Sequence, residues 1–155
     1  MNTADLFNLS NAAVLPFWAL MILLPNWNWT RKIMSSMLYF VPLILLYVYL
    51  ISGSLNADSA AALANPKLAD IARFFGEETA AATGWTHFLV MDLFAGRWVY
   101  WEGQRTGVWS RHSILLCLFA GPLGLLSHIV TAAIDRQWFA GARQKTNATA
   151  TPEAT

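Results

Sequence analysis

Four long apolar stretches separated by polar ones set the pattern of the chain. Leu6–Pro25 follows Asp5, and no charged residue occurs before Arg31. Ile33–Ile51 is also uncharged and ends at Ser52-Gly53-Ser54. Gly84–Trp101 carries His87, Asp92 and Arg97, and Ser113–Ile134 carries His128 but no Asp, Glu, Lys or Arg. Each is close to the roughly 20 residues a helix needs to cross about 30 Å of hydrocarbon. The pattern predicts an all-α integral membrane four-helix bundle. Its spans fall at about 6–25, 33–51, 84–101 and 113–134, in a membrane domain of residues 1–140.

The connections refine this topology. Asn26–Lys32 and Glu102–His112 are tight loops, so each pair of spans reads as an antiparallel hairpin. Ser52–Thr83 is long for a small membrane domain. Within it Asn65-Pro66 reads as N-cap and first residue of a short helix. Leu68, Ile71 and Phe75 recur on one face, with Lys67, Asp70 and Arg73 on the other. That is an interfacial amphipathic helix, or a lid on one end of the bundle. Pro16, Pro42 and Pro122 fall inside expected helices and predict kinks. At Gly121-Pro122-Leu123-Gly124 the break reads either as close helix packing or as a bend lining a cavity. Residues 141–155, GARQKTNATATPEAT, are small and polar and read as a disordered tail.

Tryptophans flank the spans. Trp27 and Trp29 lie in the first loop, Trp98, Trp101 and Trp109 around the third, and Trp85 and Trp138 toward the other side; Trp18 alone sits deep. This is an interfacial aromatic belt. Arg31, Lys32, Arg105 and Arg111 favour short loops on the cytoplasmic side, while Lys67, Arg73, Arg136, Arg143 and Lys145 weigh against it.

Composition agrees with burial in lipid. Of 155 residues, 56% are hydrophobic and 12% charged, and the mean hydropathy is +0.41, too apolar for an ordinary soluble domain. A net charge of +1 implies no basic face for nucleic acid. Cys117 is the single cysteine, so no internal disulfide forms, and it reads as a small core hydrophobe. The start, MNTADLF, lacks the positive region of a secretory signal. No dinucleotide fingerprint, P-loop or nucleophile elbow occurs.

Candidate chemistry centres on the third segment. A carboxylate at mid-membrane depth is costly, so Asp92 faces the interior, finds a partner or stays protonated. It is either a structural acid holding helices together or a proton donor and acceptor in a cavity. His87, Asp92 and Arg97 are spaced i, i+5, i+10, and each step of five turns a helix by about 140°. A π-bulge near Gly96 would bring such pairs nearer alignment, or the helix touches neighbours all round. Arg97 can snorkel to the headgroups. His87 reads as an interfacial residue or a base, His112 as interfacial, and His128 as a buried group needing an internal partner. Three dispersed ligands do not make a metal site. Glu102 and Arg105 pair by i, i+3 spacing, and Asn11 reads as a hydrogen-bonding residue between helices.

Several segments in order resemble one family. These are Asn11-Ala-Ala-Val-Leu-Pro-Phe-Trp18 with Leu24-Pro25, Trp85-Thr-His87 with Asp92-Leu-Phe-Ala-Gly-Arg97, and His112-Ser113, Leu116-Cys117 and Gly121-Pro122-Leu-Gly-Leu-Leu-Ser-His128. They are similar to the ABA4-like family (DUF4281), over roughly residues 5–135. Plant members are linked to neoxanthin synthesis from violaxanthin in plastid membranes. The resemblance implies a four-helix membrane protein of carotenoid metabolism, an epoxy-carotenoid isomerase of the neoxanthin synthase type. It implies no cofactor and no metal, and catalytic candidates Asp92, His87, Arg97 and His128. The partners implied are a carotenoid or other isoprenoid lipid, the membrane, and a membrane protein or a second copy of the chain. The start at the first helix reads as a prokaryotic member in an inner or photosynthetic membrane. The competing reading is a non-catalytic pigment-binding or assembly subunit. A transporter fits less well, for want of an inverted repeat.

Overall fold

The computed structural model describes residues 2–138. Among them are eight helices and no strand: α1 (Thr3–Leu23), α2 (Asn28–Ser35), α3 (Phe40–Ser54), α4 (Ala57–Ala64), α5 (Leu68–Phe75), α6 (Glu78–Thr106), α7 (Arg111–Phe119) and α8 (Gly121–Trp138). The expected all-α class holds. The expected tail, 141–155, lies outside the described residues. The chain divides into two compact units, one up to Phe94 and one from Ala95, and the boundary falls within α6.

The first unit opens with α1. Asn2 caps it reciprocally: its side chain accepts from the Asp5 N–H at 2.8 Å, and Asp5 accepts from the Asn2 N–H at 3.2 Å. Such a box satisfies two of the donors a helix N-terminus leaves open. Pro16 lies inside α1, which nevertheless runs unbroken. Thr30 donates to the Leu24 carbonyl at 2.7 Å and ties down the end of α1. Trp18, Met21, Met34, Phe40, Leu43 and Leu93 form the core of this unit.

Two expected elements differ here. The second span does not run unbroken from Ile33. α2 ends at Ser35 and α3 starts at Phe40, bent by 43°. The cause is Pro42, which has no N–H for the Leu38 carbonyl and fits a first helical turn better than an interior. In the long connection, Asn65 is not an N-cap. It closes the C-terminus of a further helix, α4, which Asn56 and Ser59 start with a capping box. Lys67 is the N-cap residue of α5.

α6 is a continuous 29-residue helix with no π segment. It extends beyond the expected span at both ends, so Glu102 and Arg105 lie on the helix rather than in a loop. Gly107 ends it with φ 73°, the one positive φ among the described residues, and donates to the Gly103 carbonyl at 2.9 Å. Only glycine takes this conformation at low cost.

In the second unit the segment expected as one fourth span is two helices. α7 ends at Ala120, whose backbone is extended at φ −162°, and α8 carries Pro122 in its first turn. Pro122 cannot donate to the Leu118 carbonyl, so the helix restarts and the chain folds back. Close packing makes the hairpin possible. A Cβ on Gly124 would clash with Cys117 Sγ and stand 2.6 Å from the Ser113 carbonyl oxygen. The small-residue reading of Gly121–Gly124 holds.

By length and apolarity, α1 is a candidate membrane span, with mean hydropathy 1.7, and the bent α2–α3 pair is a second. Large apolar side chains face outward in both units, among them Leu38, Leu68, Phe119 and Trp138.

Candidate functional site

α6 carries three of the four residues singled out from sequence. His87 is exposed, its ring 5.7 Å from that of Tyr47 on α3. Asp92 and Arg97 are half-buried, and neither lacks a partner. Because α6 is regular, no bulge aligns the i, i+5 pairs, which stay about 140° apart around it. His87 and Asp92 belong to the first unit, Arg97 and His128 to the second.

His128 is the sharpest chemical feature. It is 1% exposed, and both Nδ1 and Nε2 are buried without a hydrogen-bond partner among the described residues. The internal partner expected for it is therefore not among the neighbouring side chains. The ring of Trp98 on α6 stands edge-on to it, centroids 5.7 Å apart at 90°. A buried imidazole usually has at least one nitrogen satisfied, and an unsatisfied one calls for an explanation such as reactivity or ligand binding.

A polar seam runs beside it between α7 and α8. Ser113 and Ser127 hydroxyls are 3.0 Å apart. His112 Nε2 meets Thr131 Oγ1 at 3.0 Å and Ser113 Oγ at 3.2 Å. Its ring stacks on Trp109 at 4.7 Å, and its Nδ1 is buried and unpartnered. Thus His112 is a seam residue, not merely an interfacial one. The sequence reading gives residues 113–134 as one span kinked at Pro122, and along a continuous helix Ser113 and Ser127 would stand about 21 Å apart, so the seam does not show. The available signal was five polar residues, at 112, 113, 127, 128 and 131, inside an otherwise apolar stretch.

The expected Glu102–Arg105 pair is present and two-pronged. Arg105 Nε donates to Oε2 at 3.1 Å and Nη2 to Oε1 at 2.6 Å. These bonds hold the Glu102 carboxyl below the usual carboxylate range; Arg105's charge adds to this, while partial burial opposes it. The same contact raises Arg105 above its ordinary value.

A half-open cavity of about 770 Å³ lies in the first unit, walled by the end of α3, by α4 and α5, and by the start of α6. Lys67, Asp70, Arg73 and Glu78 line it, but neither His87 nor Asp92 does. Among the described residues, no three of His, Cys, Asp or Glu group to hold a metal.

The chain is similar to known proteins along most of its length. The family model described as ABA4-like (ABA DEFICIENT 4-like) matches residues 5–128. Protein ABA DEFICIENT 4, chloroplastic, of Arabidopsis thaliana is 39% identical over 136 residues, covering 84% of this chain. The match spans 62% of that relative's length. No solved structure matches. The relative is chloroplastic by its printed name and lends no support to the prokaryotic placement.

Proposed function

This chain belongs to the ABA4-like family, and we propose that it is an integral membrane protein of carotenoid metabolism that isomerises an epoxy-carotenoid by acid–base chemistry. On this reading the candidate spans, α1 and the bent α2–α3 pair, lie in lipid, and the outward apolar side chains of α6, α7 and α8 meet it as well. That assignment accounts for surface apolar residues that would be a liability in water.

The proposed reaction converts an epoxide to an allenic alcohol. A base removes a proton from a polyene carbon, and the C–H electron pair becomes the new cumulated double bond. The epoxide C–O bond breaks with its pair on oxygen, and that oxygen takes up a proton. Atoms and electrons balance, so the groups required are a base, an acid and donors near the developing oxyanion. His128, Asp92, His87 and Arg97 are the residues proposed to supply them.

The observation that carries this reading is the buried His128 with both nitrogens unpartnered, an imidazole kept from side chains that would saturate it. The test is the carotenoid profile of a host that accumulates epoxy-carotenoids, with and without this chain. An allenic product should appear only with it. An unchanged profile from membranes containing the folded protein would refute the isomerase assignment.

The alternative is a non-catalytic pigment-binding or assembly subunit. Asp92 and Arg97 each having a partner suits such a structural role, and the same experiment separates the two.

A further inference from the structure

We propose that the cavity between α5 and the start of α6 holds the head of a zwitterionic lipid, with its phosphate against Lys67 and Arg73 and its ammonium against Glu77 and Glu78. At about 770 Å³ it falls in the roughly 300–1,000 Å³ range of small-ligand sites. Its walls differ in charge. α5 and its N-cap supply Lys67, Asp70 and Arg73, and the chain entering α6 supplies Glu77 and Glu78. Asp70 and Arg73 meet at 3.4 Å, but one such contact leaves the guanidinium further N–H donors to offer. Among the described residues, Lys67, Glu77 and Glu78 make no side-chain hydrogen bond or ion pair. The polar groups where α4 begins are already used. The Ser59 N–H donates to Asn56 Oδ1 at 2.8 Å, and Ser59 Oγ accepts from the Asn56 N–H at 2.7 Å. What stays open is a cation on one wall and carboxylates on the other, which a ligand carrying both charges satisfies.

The cavity is formed without a ligand. The Phe75 ring lies on Gly84 of α6, where a Cβ would stand 2.5 Å from Phe75 Cε1. That contact holds α5 against α6. Charge then decides among ligands. Three carboxylates, Asp70, Glu77 and Glu78, face two cations, Lys67 and Arg73, so a purely anionic head meets the surplus sign. Apolar surface borders the polar opening. Leu55, Leu63 and Leu68 face outward, and each adjoins a lining residue in sequence. A polar cavity with an apolar border fits an amphiphile, its head inside and its chains along the border. The cavity also lies at helix ends, where α3 stops at Ser54 and α6 starts at Glu78. That is headgroup level when the α2–α3 pair spans a bilayer.

The inference rests on the membrane part of the proposed function and not on its isomerase chemistry. Full-length protein in detergent micelles is titrated with lipids that share their acyl chains and differ in head: phosphatidylethanolamine, phosphatidylglycerol and a galactosyl diacylglycerol. Native mass spectrometry reads the bound lipid. Phosphatidylethanolamine should bind about ten-fold tighter than either of the others, the size of one charge-assisted contact. Lys67→Gln should cut its affinity by about ten-fold. Glu77→Gln with Glu78→Gln should reverse the preference toward phosphatidylglycerol, a reversal that a merely structural role of these groups does not produce. All three side chains are exposed, so the variants should keep the wild-type helix content, and Lys67→Gln carries the test alone should the double variant fail to fold. Glycerophosphoethanolamine, the same head without chains, should compete at least about ten-fold more weakly than the lipid; equal competition would assign the cavity to a free solute and overturn the lipid. Equal binding of the lipids, tighter binding of either alternative head, or a preference that survives the substitutions overturns the site and leaves the isomerase reading to the carotenoid profile. Recovery of the folded protein in water without detergent would overturn the membrane reading and this site together.

Discussion

The indole N–H of Trp85 donates to the side-chain oxygen of Asn11 at 2.9 Å, joining α6 to α1 across 74 residues of chain. Asn11 is held for this role by its own amide, which donates to the Phe7 carbonyl at 2.8 Å. The Phe7 and Trp85 rings close the contact at 5.8 Å. Asn11→Leu and Trp85→Phe each remove the same bond, at about 0.5–1.5 kcal/mol. The double variant should lose little more than either single one, because both changes delete one interaction. Unfolding in mixed micelles measures this, and strict additivity would show that the bond carries no stability.

This contact was legible in sequence only as a residue type. An asparagine inside a charge-free stretch needs an internal partner, so Asn11 could be marked, but nothing local pointed to Trp85. The same limit explains the larger misses. Apolar periodicity locates helices but does not show where one stops when the apolar run continues past the stop. Pro42 and Pro122 were visible, yet each was read as a kink inside a span. Both sit in first turns, because without its N–H a proline suits a beginning better than a middle. Once the break at Ala120 is missed, the seam of His112, Ser113, Ser127 and Thr131 is invisible, since it exists only in the folded-back hairpin. The Glu102–Arg105 pair, by contrast, needed only helical spacing and was found.

Gly124 and Gly53 make a paired test of helix packing. A methyl on Gly124 meets Cys117 and the Ser113 carbonyl, backbone that cannot swing aside. Gly124→Ala should therefore destabilise by about 1–3 kcal/mol, as overpacking does, and should weaken the Ser113–Ser127 contact. A methyl on Gly53 meets Thr79 Cγ2 at 3.7 Å, an ordinary contact. Gly53→Ala should be neutral or stabilise by up to about 1 kcal/mol through lower backbone entropy. Thermal unfolding of the two variants side by side reads the difference, and equal responses would contradict the close approach of α7 and α8.

The Glu102–Arg105 contact sets a pH dependence of definite sign. The folded carboxyl is lowered from its ordinary value of 4.5, so in acid the unfolded chain binds a proton first. The pair's contribution is therefore fully present above about pH 4.5 and disappears as the pH falls through the lower folded value. Arg105 is 72% exposed, so the effect is small and screened by salt. Compared with wild type, Glu102→Gln should melt slightly lower at pH 6, and the gap should close toward pH 3. A gap that widens in acid would reverse the assigned shift.

Asp92 decides between chemistry and architecture. It is half-buried on α6 and has a partner, which a structural acid and a proton-transfer group both require. Asp92→Asn keeps the shape and hydrogen-bonding capacity but removes the ionisable proton. If the carboxyl moves a proton in the reaction, allenic product should fall by about 10²–10⁴-fold while the protein still inserts and melts near the wild-type temperature. If the carboxyl only holds helices together, the melting temperature falls and any product per folded molecule stays the same. Measuring product against folded protein, rather than total protein, separates the two. Asp92→Glu sharpens the comparison, because it restores the proton at a displaced position. Partial recovery of turnover without recovery of stability places the acid in the chemistry, and the reverse pattern places it in the frame.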